Sequence, residues 1–306
     1  MTTTSALTPA NPPADAEGSP PGDRGRRRAA KPAPRSPLGR VGNAVAVTVL
    51  LVFTVLPVYW MVTTAFDPRA NSRGSSPLPS GFTLDHFRFV FDEGGFGPFL
   101  LNSLLIAIGT VLLAGLLALL AAVAVARFVF RFRTAVLVMV LIIQMVPLEA
   151  LVIPLFVQMR NLEMLNSLLG LTIVYLAFSL PFAIWMLRGF VAAVPKEVEE
   201  AAYLDGCGWP RMFRSVLLPL VAPGLIATSV FSFIVAWNEF IFAFTFLQDE
   251  SKFTAAVGLH RFFGQHTNDW GPVMAGSTLI TLPVLIFFVL AQRKLSNGLA
   301  AGAVKG

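Results

Sequence analysis

Charge and cysteine are both scarce in this sequence. Only 13% of its 306 residues are Asp, Glu, Lys or Arg, against about 25% in an ordinary soluble domain. So few charges cannot solvate a globule of this length, which excludes a wholly water-soluble chain and makes lipid the solvent for much of it. The single cysteine, Cys207, allows no intrachain disulfide and no cysteine-rich metal site. Histidine is limited to His86, His260 and His266, which are expected in loops and show no ligand spacing. No G-x-x-x-x-G-K-S/T string is present, so ATP is not expected to bind here. The LSNG at 295–298 has no second glycine after it and lies in the wrong context for an ATPase signature. No H-E-x-x-H and no histidine inside an apolar run occur, which argues against a membrane-embedded hydrolase.

Long apolar runs fill the place of charge. Hydrophobic residues make up 55% of the chain, 27 of them Phe, and the mean hydropathy is +0.71. Crossing a bilayer takes about 20 apolar residues in a helix. The runs predict spans near 41–66, 99–126, 134–158, 165–189, 217–247 and 273–292. Only helices satisfy their own backbone in lipid, so the fold class is all-α: a polytopic membrane protein with six transmembrane helices. The fifth run is long enough to tilt or to continue past the bilayer. Pro57, Pro147, Pro154 and Pro181 lie inside runs and are expected to kink them. Residues 1–40 are rich in Pro, Ala, Thr, Gly and Arg, cannot bury enough apolar surface to order, and are expected to form a disordered basic tail. The remainder, 41–306, is expected to form the transmembrane domain, and its first run is too late and too long for a cleaved signal peptide.

Charge position sets the topology. With both termini placed in the cytoplasm, the outer loops hold Arg69, Arg73, Arg88, Arg160, Lys252 and Arg261, leaving the other seventeen of the 23 basic residues inside. The net charge of +6 is thus largely topology, and no nucleic-acid partner is expected, despite the RGRRR run from Arg24 to Arg28. The outer loops near 67–98 and 248–272 are long and polar, and serve either as contact surfaces for an extracytoplasmic partner or as plain connections.

The inner segment from Val194 to Leu225 carries the most information. Pro195 suits a helix start, and Glu197, Glu199 and Glu200 follow near the positive end of the dipole. Gly206 is expected to end this helix with a positive φ. A second short helix then places Trp209, Met212, Phe213 and Val216 on one stripe, and Pro219 and Pro223 mark the return to the membrane. Periodicity alone allows two readings: an interfacial helix pair on the headgroups, or an element that docks into a soluble partner.

The string resembles the EAA loop of the ABC importer permeases, E-A-A, three residues, G, nine residues, I, one residue, L-P. Glu200, Ala201, Ala202, Gly206, Leu218 and Pro219 match it, with Val216 in place of Ile. NSLL at Asn102 to Leu105, the stretches around Pro147 and Pro154, LPFAIWMLRGF at Leu180 to Phe190, AWNEF at Ala236 to Phe240 and AAGAVKG at the C-terminus resemble the carbohydrate branch, similar to the six-span maltose-system permease subunit. The resemblance covers about 41–306 and implies a permease that forms a translocation pathway with a second permease subunit as a heterodimer. It implies docking of an ABC ATPase dimer, which uses ATP and Mg2+, and delivery by an extracytoplasmic sugar-binding protein, in a bacterial plasma membrane. Glu200, Ala201, Ala202, Asp205, Gly206, Trp209, Phe213 and Pro219 are the implied ATPase-coupling positions, and no cofactor is implied for this chain.

Polar groups within spans are candidates for the pathway. Asn102, Gln144, Glu149, Trp237, Asn238 and Glu239 qualify, either as sugar contacts or as interhelical ties. An ion-coupled secondary transporter is the alternative; it predicts paired intramembrane acids and an inverted repeat, neither of which is evident.

Overall fold

The computed structural model describes residues 37–74, 76–264 and 269–303. The expected disordered tail lies, up to residue 36, outside the described residues, as does His266. Among the described residues every regular element is helical and no strand occurs.

They fall into two compact units divided between Phe53 and Thr54, inside helix α1 (Pro37–Ala65). In the first unit, residues 41–53 are helical, uncharged and exposed all round, with Leu50 and Phe53 among the bared apolar side chains. Such a helix belongs in lipid or against other membrane helices. The second unit holds the rest of α1 and eleven further helices among the described residues: α2 (Asp85–Asp92), α3 (Phe96–Arg127), α4 (Arg133–Gln144), α5 (Val152–Asn161), α6 (Leu168–Ala193), α7 (Lys196–Leu204), α8 (Trp209–Met212), α9 (Leu218–Asn238), α10 (Ile241–Phe246), α11 (Ala255–His260) and α12 (Trp270–Ala303). His86 and His260 thus lie on α2 and α11 rather than in bare loops.

Among the described residues, five helical stretches are long and apolar enough to cross a membrane: Val41–Ala65, Phe96–Arg127, Leu168–Ala193, Trp209–Asn238 and Trp270–Gln292. The bent pair Arg133–Gln144 and Leu148–Asn161 makes a sixth when taken as one span. The run expected as one proline-kinked span over 134–158 is divided into two helices, with a bend of 94°. Pro147 supplies the cause: it has no N–H, adopts ψ 128°, and biases Val146 before it away from the helical region.

Helices α3, α6 and α9 pack together as the core. On α3 the inward row is Ile106, Thr110, Ala114, Ala118 and Ala122, four residues apart. Small side chains on that row let helices approach closely where lipid gives no hydrophobic drive to associate. The opposite row, Leu101, Leu105, Leu112 and Leu116, is exposed. On α9, a Cβ at Gly224 would stand 2.3 Å from the Phe190 ring of α6, so only glycine permits that crossing.

Two further departures come from end effects. The run expected to continue from 217 to 247 stops at Asn238, because Glu239 is extended and its carboxylate accepts the Phe242 and Ala243 N–H groups that start α10. The second short helix expected before the membrane does not stand apart. Its path continues through a π-helical turn, Phe213–Leu217, into α9, and Leu218 N–H donates to Phe213 O five residues back. The wider turn comes just ahead of Pro219, which cannot donate to the carbonyl four residues earlier.

Candidate coupling segment and polar pathway

Helix α7 follows α6 after only Val194 and Pro195, both extended at ψ 121° and 138°. Its C-terminus is a Schellman turn: Cys207 N–H donates to Ala202 O and Gly206 N–H to Tyr203 O, each at 3.0 Å, with Gly206 at φ +79°. That positive φ matches the reading of Gly206 as the helix stop. The turn divides the helix into faces. Glu199 and Ala202 point inward and are buried, while Glu200, Ala201, Tyr203 and Asp205 are exposed. Leu204 is 88% exposed, an unusual place for leucine unless another surface covers it. Beyond the turn, Trp209 and Phe213 stack at 5.3 Å between ring centroids, with Trp209 half bare. Met212 turns into the core beside Leu217 and Val221, so the expected stripe splits into a buried and a surface part. Pro219 lies exposed in the first turn of α9.

The polar candidates separate into tied and free groups. Asn102 is buried on α3 and donates both amide hydrogens, to Ser251 O at 2.9 Å and Phe253 O at 3.0 Å, which leaves none for a sugar. Trp237 is 2% exposed and its indole N–H donates to Ile280 O. Both tie elements together, one of the two roles that the sequence left open for them. Glu239 is half-buried and fully engaged: it caps α10 and accepts the Tyr175 hydroxyl at 2.5 Å. Asn238 is exposed and donates to Ile234 O, while Gln144 and Glu149 are exposed on either side of the break at Pro147. Gln144 lines a cavity of about 260 Å³ with Phe178, Phe182 and Phe231, the last two 3.8 Å apart between centroids. The structure does not gather all six candidates into one site.

At the other end of α3, the loop after α1 is fixed by charge. Asp67 is fully buried and accepts from Arg69 N–H at 3.0 Å, Ser80 N–H at 3.1 Å and the Ser80 hydroxyl. Burial alone would raise its carboxyl, but those hydrogen bonds and the Arg73 guanidinium at 3.7 Å outweigh it and hold it below the usual 3.8. Arg73 also lies over the Trp60 ring at 4.4 Å. In the loop after α10, hydrogen bonds from Ser251 hold the Asp249 carboxyl low.

The sequence pattern described as the inner membrane component of binding-protein-dependent transport systems matches residues 114–300, which include α7 and its glycine turn. The chain belongs to that family. Members similar to it include a diacetylchitobiose uptake system permease protein of Streptomyces coelicolor, 42% identical over 89% of this chain and 99% of the relative. A trehalose transport system permease protein of Mycobacterium tuberculosis is 35% identical over 86% and 97% of the two chains. The fold is shared with a crystallised bacterial ABC transporter involved in import of the acidic polysaccharide alginate, at a TM-score of 0.72 over 84% of this chain and 96% of that one, with 20% identity. This family member is thus a multi-pass protein of the bacterial plasma membrane, and its relatives are transport permease proteins. What the sequence did not single out is Arg127, which the structure places against Glu199. Read only as a topological charge, it could have been noticed as the residue that closes an apolar run.

Proposed function

We propose that the chain is one of two permease subunits in an ATP-driven ABC importer for a sugar. Both termini and the α7–α8 segment lie in the cytoplasm, and the loops around Asp67 and Asp249 face outside. The observation that carries this reading is the bare face formed by Glu200, Tyr203, Leu204 and Trp209, presented on a turn that Gly206 holds. A leucine and a tryptophan exposed beside acidic side chains suit a docking knob better than a headgroup-lying helix, whose polar face would be basic. An ATPase dimer, using ATP and Mg2+, docks on this knob with Glu200, Ala201, Ala202, Asp205, Gly206, Trp209, Phe213 and Pro219 as the coupling positions. The second permease completes the pathway, and a binding protein outside delivers the substrate. The sugar class follows the relatives named for diacetylchitobiose and trehalose uptake. Gln144, Glu149 and Asn238 are the exposed pathway groups positioned to meet a hydroxylated substrate, with Phe182 and Phe231 offering ring faces.

The test is extraction of the tagged chain in mild detergent and identification of co-purifying proteins by mass spectrometry. The wild type is expected to bring an ATPase and a second permease. Leu204→Glu, which alters a side chain with almost no intrachain contact, is expected to lose the ATPase and keep the permease. A wild-type sample with no ATPase, at normal membrane expression, would return the ion-coupled carrier to favour.

A further inference from the structure

Arg127 ends α3, a 32-residue helix, and its guanidinium closes on two points of another element. Nε and one terminal nitrogen each reach Glu199 Oε1 at 2.7 Å. The same terminal nitrogen donates to Val194 O at 2.9 Å. Both charged side chains are only 11% exposed, and apolar Ala122, Val123, Val191, Ala202 and Met212 surround the region. Val194 is the extended residue that follows α6 in the link to α7, and Glu199 lies in the first turn of α7. One guanidinium therefore grips the end of α3, the α6–α7 link and the start of α7.

We infer that Arg127 is a positioning residue that makes α7 a rigid extension of both α3 and α6. Covalently, α7 is joined to α6 through two extended residues and to α8 through the Gly206 turn, and nothing in the chain order ties it to α3. With the clamp closed, force applied to α7 reaches two of the three core helices together. Glu199 faces inward while Glu200, Tyr203 and Leu204 face outward, so clamp and docking face occupy opposite sides of one short helix. The planar fork matters: a lysine ammonium has donors for Glu199 and for the Val194 carbonyl, but it lacks the second nitrogen, Nε, with which the rigid guanidinium also pins Glu199 Oε1. Surrounding apolar groups weaken water's competition for the pair, so the clamp opens less readily than an exposed one. Its role in transport rests on the docking reading above; its rigidity does not.

The test uses the full complex in lipid nanodiscs, with nitroxide labels at Ala124→Cys and Lys196→Cys in a Cys207→Ser background. Both labelled positions are exposed. Electron–electron distances are recorded with and without ATP and vanadate. The intact clamp is expected to give one narrow distance in both conditions. Arg127→Gln is expected to show a second population above about 10%, beyond the range of a minor state held by a few kcal/mol, and Arg127→Lys a smaller one. A single unchanged distance in Arg127→Gln, with and without nucleotide, overturns the clamp. Should that variant fail to reach the membrane, Glu199→Met serves: it keeps the side-chain length but offers no oxygen for the guanidinium, and an unchanged single distance there overturns the clamp equally. If no ATPase accompanies the wild type, the docking reading fails by itself, and the nucleotide-free distances still decide the clamp.

Discussion

Gly206 offers a test in which backbone conformation and side-chain bulk make opposite predictions. Its φ is +79°, and no heavy atom lies within 4 Å of where a Cβ would stand. Within the chain, then, substitution is resisted by conformation alone. Holding an ordinary L-residue in the left-handed region costs about 1–2 kcal/mol, a factor of roughly 5–30 in the population of the turn that aims α7 at the π-helical segment. Asparagine tolerates that region and is the common substitute at such helix ends; a β-branched residue tolerates it least. Retention of the ATPase on extraction, at matched membrane expression, is therefore expected to fall in the order Gly, Gly206→Asn, Gly206→Ala, Gly206→Val. Bulk ranks the first two variants the other way, since alanine is smaller than asparagine. Should Gly206→Ala retain more ATPase than Gly206→Asn, the glycine serves as space for a partner surface and the turn argument is refuted.

Two further outcomes follow from packing and charge. Gly224→Ala would drive a Cβ to within 2.3 Å of the Phe190 ring and is expected to destabilise by about 1–3 kcal/mol through overpacking; a wild-type unfolding midpoint in detergent would contradict the close crossing of α6 and α9. The Asp67 carboxyl is held below its usual 3.8 in the folded chain, so its contribution is complete above that value and is lost as pH falls through the folded-state value. Hydrogen exchange of residues 66–83 is expected to lose protection below about pH 4 in the wild type, whereas Asp67→Asn should be less protected at neutral pH and flatter across that acid range; identical profiles would remove Asp67 from the account.

Much of this architecture was legible because lipid imposes one rule on every span: apolar side chains outside and a self-satisfied backbone. The runs around α3, α6 and α12 needed no further information. Gly206 was legible for a different reason, since few sequences other than a helix stop place glycine after an amphipathic turn and before a second stripe. The break at Pro147 was harder, because proline in a span either kinks or breaks it, and neighbouring helices decide which. Glu239 was harder still: an acid next to Asn238 in an apolar run reads equally as a substrate ligand or a helix cap. Only the position of Tyr175, 64 residues earlier, and the N–H groups of Phe242 and Ala243 distinguish them.

By itself the sequence determined what is local or set by solvent: helical spans, the positive-φ glycine, the uneven sharing of basic charge and the motif spacing between Val194 and Leu225. Only the tertiary structure decided which polar groups are spent. Asn102, Trp237 and Glu239 are satisfied by atoms 43 to 151 residues away or by a new helix start, and Arg127 finds Glu199 across 72 residues. Hydrogen-bond partners that distant are fixed by how helices cross, and helix crossing depends on side-chain shape summed over whole interfaces, which no short motif records.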